Sequence, residues 1–332
     1  MAAWRWLPVF VRAPTVAFVV LEIGTTATVL PLVGNIKFHP EIPWAFPATL
    51  IVLAVFWYYF TGGGYPAATR EARKDVTRRK SLPLPIWRAA AAPMLLSVIS
   101  VASLRLALPS VLPMDVPKIP FDIASFPFAT IVGLLLAIAV SAGVAEEVAF
   151  RGYLQKPLED TYGIVPALAL TGIAFWFAHT DKVSLSHLPF HLFASILLGL
   201  AAYLTKSLLP AIVGHIAGDA LLQPAYVFHE PAFVWSSLTA RPLWEASNAT
   251  TLVERLRILC HAMDPSRLFE SGPITSFALI AWVFIASSVL ALPAFMGLAR
   301  ATRILRVAPG PLESCRGDGA PSRIEMGTGL FL

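Results

Sequence analysis

Glu146 and Glu147 stand side by side at the end of the apolar run Phe126 to Ala145, and Arg151 follows four residues after Glu147. A charged side chain at the bilayer centre costs about 2.5–3.5 kcal/mol on insertion scales, so such residues face a cavity or a partner. The bland alternative ends the span at Ala145 and leaves the carboxylates among headgroups. Arg151 weighs against it, because the i,i+4 spacing sets Glu147 and Arg151 on one helix face, where an internal ion pair lets the helix continue. His179 closes the run Phe175-Trp176-Phe177-Ala178-His179, and His215 lies four residues before Asp219, again on one helix face. Each of these taken alone has a structural reading: a histidine bridging two helices, or a buried His–Asp pair. Taken together they form a parts list for hydrolysis. A carboxylate can act as general base on water, a histidine can orient the same water, and a remaining donor can stabilise an oxyanion.

These side chains need helices that bring them to one depth. The chain has 332 residues, 57% hydrophobic and only 14% charged, with a mean hydropathy of +0.70. A soluble domain carries about 25% charged residues, so lipid must cover this surface. The expected fold class is all-α: a polytopic membrane protein, a bundle of about eight transmembrane helices. Apolar stretches of spanning length fall near 14–33, 45–62, 89–108, 126–156, 164–181, 188–205, 208–228 and 274–298. Gly133, Ala137, Ser141 and Ala145 recur every four residues, a small-residue ridge that admits a close neighbour. Arg105 near the end of the third span can snorkel or pair.

Charge supports the count. With the N-terminus inside, most of the 25 lysines and arginines fall on inner segments, including the run Arg70, Arg73, Lys74, Arg78, Arg79 and Lys80. That is the positive-inside pattern, with both termini cytoplasmic. The net charge of +5 is therefore read against the membrane, with no nucleic-acid partner. No cleavable signal peptide is expected. Cys260 and Cys315 fall on opposite sides, which excludes a disulfide framework. The chain divides into N-terminal helices with a basic loop (1–125), a helix core bearing the polar residues (126–228), an outer loop (229–273), a last span (274–306) and a disordered tail (307–332). In the outer loop, Leu252, Val253, Leu256, Leu259 and Met263 have helical spacing, as in a short helix lying on the membrane surface. Asn248-Ala249-Thr250 is a glycosylation acceptor only in a eukaryotic lumen.

Depth is the geometric test. If the fourth helix continues to about Lys156, Glu146 lies roughly 15 Å inward, His179 about 22 Å from the inner end of its span and His215 about 10 Å in. Tilts and short connections would have to bring them together. His187 and His191 are also four apart, with Pro189 between them at a helix start, where proline is tolerated; they read as interfacial histidines.

Glu146-Glu147-Val148-Ala149-Phe150-Arg151, Phe175 with His179, and His215 with Asp219, in this order, resemble the three motifs of the CAAX protease and bacteriocin-processing family, which includes the type II CAAX prenyl endopeptidases. The resemblance covers roughly residues 126–225. It implies an intramembrane endopeptidase acting on a membrane-associated peptide or protein, with the lipid bilayer as its setting. In that scheme Glu146 and His179 activate water, His215 and Asp219 stabilise the oxyanion, and Glu147 with Arg151 forms a supporting ion pair. The prenyl endopeptidases carry asparagine where this chain has Asp219, and an aspartate donates to an oxyanion only when protonated. Family members have been described both as metalloproteases and as glutamate-dependent enzymes. The favoured expectation here is no cofactor; the alternative is zinc held by Glu146, His179 and His215. A proton-coupled transporter and a catalytically silent scaffold or immunity protein are the competing functions. Alanine-, arginine- and proline-rich composition points to a bacterial cytoplasmic membrane.

Overall fold

A computed structural model describes residues 6–108, 111–112, 125–179, 185–223, 251–263 and 273–307. Among them every regular element is helical. Five helices are long and apolar enough to cross a membrane: Val9–Phe38, Leu84–Ala107, Phe128–Tyr162, Leu185–Thr205 and Ala278–Leu305. Three shorter apolar helices, Ala45–Phe60, Ile164–Ala178 and Leu209–Leu222, occupy the other stretches the sequence marks as spans. Apolar side chains such as Leu30, Ile51, Val165, Leu279 and Leu292 point outward, which water would penalise and lipid accommodates. The all-α polytopic architecture follows.

The first helix, α1 (Val9–Phe38), turns into α2 (Ala45–Phe60) around a buried Asn35. Its Nδ2 donates to the carbonyls of His39 and Ile42 at 2.6 and 2.8 Å, and the Ala45 amide donates to its Oδ1 at 3.0 Å. One amide side chain thereby satisfies backbone groups that a helix end would otherwise leave bare. The short basic α3 (Arg70–Val76) follows, and then α4 (Leu84–Ala107), opened by proline in its first turn, where the missing N–H costs nothing.

The central element is α5 (Phe128–Glu147). It runs without a break through a π-helical stretch, Val148–Gln155, into α6 (Lys156–Tyr162). All eight residues of the π stretch are buried. π-helical turns are rare and gather at functional sites. Gly163, at φ +83°, separates α6 from α7 (Ile164–Ala178), a conformation that glycine adopts at no steric cost. Helices α8 (Leu188–Thr205) and α9 (Leu209–Leu222) also begin with proline in the first turn. The described remainder is α10 (Leu252–Ala262) and the long α11 (Pro273–Val307). The helical spacing in the outer loop thus does give a helix. Asn248-Ala249-Thr250, Cys315 and the tail from residue 308 lie outside the described residues.

Small residues let the helices close on α5. A Cβ placed on Gly24 of α1 would lie 2.7 Å from the Ala145 Cβ, and one on Gly143 would lie 2.4 Å from Cγ1 of Ile216 on α9. Gly133, Ala137, Ser141 and Ala145 are all buried, and Ser141 donates to Thr28 of α1. The small-residue ridge is a real interface, meeting α1 at Ser141 and Ala145 and the start of α2 at Gly133. On the other side of the bundle, Ser100 of α4 bonds Ser287 of α11 at 2.8 Å.

Candidate active site

Glu146 falls near the middle of the continuous helix Phe128–Tyr162. Its Oε2 lies 3.4 Å from His179 Nε2 and 3.8 Å from His215 Nε2. Residues from α5, α7 and α9 therefore meet at one point, and the depth test is passed. His179 is the residue just past the last turn of α7, and its Nδ1 bonds the Phe175 carbonyl at 2.8 Å. A carbonyl only accepts, so Nδ1 carries the proton and Nε2 is the atom turned to Glu146. The same Phe175 ring lies 4.4 Å from the His179 ring and carries the Arg151 guanidinium over its face at 4.9 Å. The phenylalanine four residues before the histidine is thus a platform that fixes two polar groups.

Behind this point lies a fully enclosed pair. Glu147 and Arg151 are both 0% exposed, with Oε1 and Nη1 3.0 Å apart. Glu147 Oε1 also meets His215 Nδ1 at 2.7 Å, and Arg151 Nη2 donates to the Ser195 carbonyl of α8 at 3.4 Å. The chain Arg151–Glu147–His215 links α5, α8 and α9 and aims His215 Nε2 towards Glu146. Asp219, one turn further along α9, has Oδ2 3.9 Å from His215 Nε2 and 3.4 Å from the Gln223 Nε2 donor. It faces His215 without a hydrogen bond to it. The nearest acceptor for His215 is Glu147.

These groups border a cavity of about 460 Å³ between α4, α5, α7, α8 and α9. Leu135, Ile138, Ala142 and Glu146 line it from one stripe of α5, while Met94, Val98 and Val101 line it from α4. The walls are mainly apolar, with Glu146, the histidines, Asp219 and Arg105 among them, the arrangement expected of a pocket for a largely apolar ligand.

One expectation needs correction. His191 is not interfacial: it is 7% exposed, lines the cavity and stacks on His179 with ring centroids 4.7 Å apart. Its Nδ1 bonds the His187 carbonyl at 2.9 Å, so Nε2 is left as the second ring nitrogen. The first turn of α8 is packed against α7, with the His191 ring beside Phe175 and His179. Arg105, which could snorkel or pair, is 8% exposed in the cavity wall, with its guanidinium 5.9 Å from the Phe190 ring. The spacing of His187 and His191 was the available signal for His191. For Arg105 the sequence offers only a charge in an apolar helix.

Glu146, His179 and His215 supply the donor types that zinc takes. Among the described residues, however, no group of three or more His, Cys, Asp or Glu side chains is arranged to hold a metal ion. As they stand these side chains do not fit such a site.

Comparison with known proteins gave no significant match to a curated protein or to a solved structure. A family model does match: residues 127–221 correspond to the one described as Type II CAAX prenyl endopeptidase Rce1-like. That stretch holds Glu146, Glu147, Arg151, His179, His215 and Asp219. The match makes the helical core similar to that family, and the rest of the chain lies outside it.

Proposed function

We propose that this protein hydrolyses a peptide bond of a membrane-associated peptide or protein, with the Glu146 carboxylate as general base. The observation that carries the reading is the position of Glu146: one carboxylate oxygen faces two imidazole nitrogens, at 3.4 and 3.8 Å, in the wall of a mainly apolar cavity. A water between Glu146 and His179 gives its proton to the carboxylate. The hydroxide oxygen bonds to the scissile carbonyl carbon, and the carbonyl π pair moves onto oxygen. His215 stabilises that oxyanion through Nε2. With Nδ1–H given to Glu147, Nε2 can donate only in the doubly protonated ring, for which Glu147 is the counter-charge. Asp219 contributes a second donor when it is a carboxylic acid. As the tetrahedral intermediate collapses, the C–N bond breaks and the proton held by Glu146 passes to the leaving amine. Glu147 and Arg151 hold His215 and take no proton in the cycle.

Glu146→Gln keeps the size of the side chain and removes its basicity. Full-length protein reconstituted in liposomes and mixed with a panel of lipid-anchored peptides, read by mass spectrometry, should cleave in the wild type and lose about 10²–10⁴-fold in rate in the variant. Equal cleavage in both, with the variant folded, would sink the glutamate mechanism. A panel left intact by the wild type, beside a proton flux that Glu146→Gln abolishes, would favour transport instead. If neither activity responds to the substitution, the scaffold reading stands.

A further inference from the structure

The cationic ends of several helices gather into a second cleft, of about 340 Å³, that the reaction does not use. Lys74 and Arg78 to Lys80 come from α3 and its exit, Lys156 from the start of α6, and Lys206 from the residue capping α8. Lys74 to Lys80 lie between the end of apolar α2 and the start of apolar α4, and Lys206 ends apolar α8, which puts the cleft at the level of a membrane–water boundary. Glu71 and Asp75 also line the cleft, and Glu159, its side chain 8% exposed, accepts from Arg78 and from Lys206, the latter at 2.8 Å. Lys74 pairs with Glu71 at 2.9 Å, and Lys156 with Asp160 and, at 3.7 Å, with Asp75. Arg79 donates to the Thr61 carbonyl at 3.3 Å. Among the described residues no carboxylate is paired with Arg79 or Lys80.

Two further observations point to a missing anion. The Arg78 side chain is 2% exposed, yet its Nε and Nη1 find no hydrogen-bond partner among the described residues. Buried guanidinium donors left open are costly and ordinarily occupied. Arg78 and Lys206 are also the described non-glycine residues with positive φ, at 48° and 52°. Strain of this kind persists where the surroundings over-determine it and clusters at ligand sites. The turns that carry them are tied together, since Ser207 donates to the Lys80 carbonyl at 3.0 Å.

We propose that this cleft binds a phosphate-bearing anion, and that in the membrane the phosphate is that of an anionic phospholipid headgroup. Open guanidinium donors with neighbouring ammonium groups match phosphate oxygens, and basic pockets between apolar helices at the membrane surface take such headgroups. The full-length protein in detergent would be followed by thermal unfolding and by native mass spectrometry. Separate arms contain phosphatidylglycerol, phosphatidylcholine and inorganic phosphate. Phosphatidylglycerol should raise the unfolding midpoint by several degrees more than phosphatidylcholine and remain bound in the gas phase. The combined Arg79→Gln and Lys80→Gln variant should lose at least half of that increment. Lys80→Gln alone, whose side chain is exposed, keeps the test open if the double variant does not fold, and it should lose a smaller part. An equal increment from inorganic phosphate alone would assign the cleft to a soluble anion and overturn the lipid source. An unchanged response in both variants, or no response to either phosphate source, would overturn the site.

Discussion

The pair Glu147 and Arg151 has no exposure at all, and its meaning is energetic as well as chemical. Two opposite charges out of water are tolerable only together; removing one partner leaves an uncompensated buried charge and costs about 3–5 kcal/mol. Arg151→Met should therefore destabilise the protein by that amount in reversible unfolding in detergent. Adding Glu147→Gln to it should cost less than the sum of the two single changes, because the second substitution removes the orphan that the first created. Equal additive losses would mean that the two side chains act independently. At this scale the sequence was highly legible. Glu146, Glu147, Arg151, His179 and His215 announce themselves because ionisable groups in apolar helices are rare, and the structure brings them together. His191 was misjudged for a physical reason. A histidine in the first turn of a helix behind a proline belongs equally well to headgroups or to a packed helix end, and only its stacking on His179 decides between them.

Among the elements, α5 and α9 approach through Gly143. A Cβ there would meet Cγ1 of Ile216 at 2.4 Å and also stand 3.1 Å from the Ile216 amide and 3.3 Å from the Ile212 carbonyl. The side chain could rotate, but the backbone of α9 could not yield without carrying His215 with it. Gly143→Val should cost about 1–3 kcal/mol from overpacking and lower cleavage by about 10²-fold, the penalty of a 1 Å misplacement of a reacting group. Gly297→Ala on α11, where a Cβ meets nothing within 4 Å, is the control and should leave the rate near that of the wild type. Parallel unfolding and activity assays separate the two effects. The small-residue ridge from Gly133 to Ala145 was visible in the spacing, but Gly143 lies off it and its contact with α9 was not. Nor was the π-helical stretch after the ridge. Its eight residues have no composition that distinguishes them from an α-helix, and the stretch is buried against α1, α7 and α8.

For the whole molecule, hydropathy gave the architecture and charge gave an orientation that can be tested directly. Cys260 on α10 is exposed, and the charge pattern puts it on the face opposite the basic residues around Lys80. A membrane-impermeant maleimide should label Cys260 from one side of sealed vesicles. It should label a cysteine placed at Lys80, in a background with Cys260 and Cys315 replaced by serine, from the other. Labelling from the same side would require a different number of crossings. The cavity itself could not be read from sequence, since five helices contribute to its walls and no single one of them encodes a void. Its apolar walls, set within a bundle whose outer surface is also apolar, carry a kinetic consequence. A substrate drawn from the bilayer is encountered in two dimensions, so the effective concentration is its mole fraction among lipids, not its amount per litre. At fixed bulk concentrations of enzyme and substrate, dilution with inert lipid should slow cleavage in proportion, and adding buffer alone should change it little.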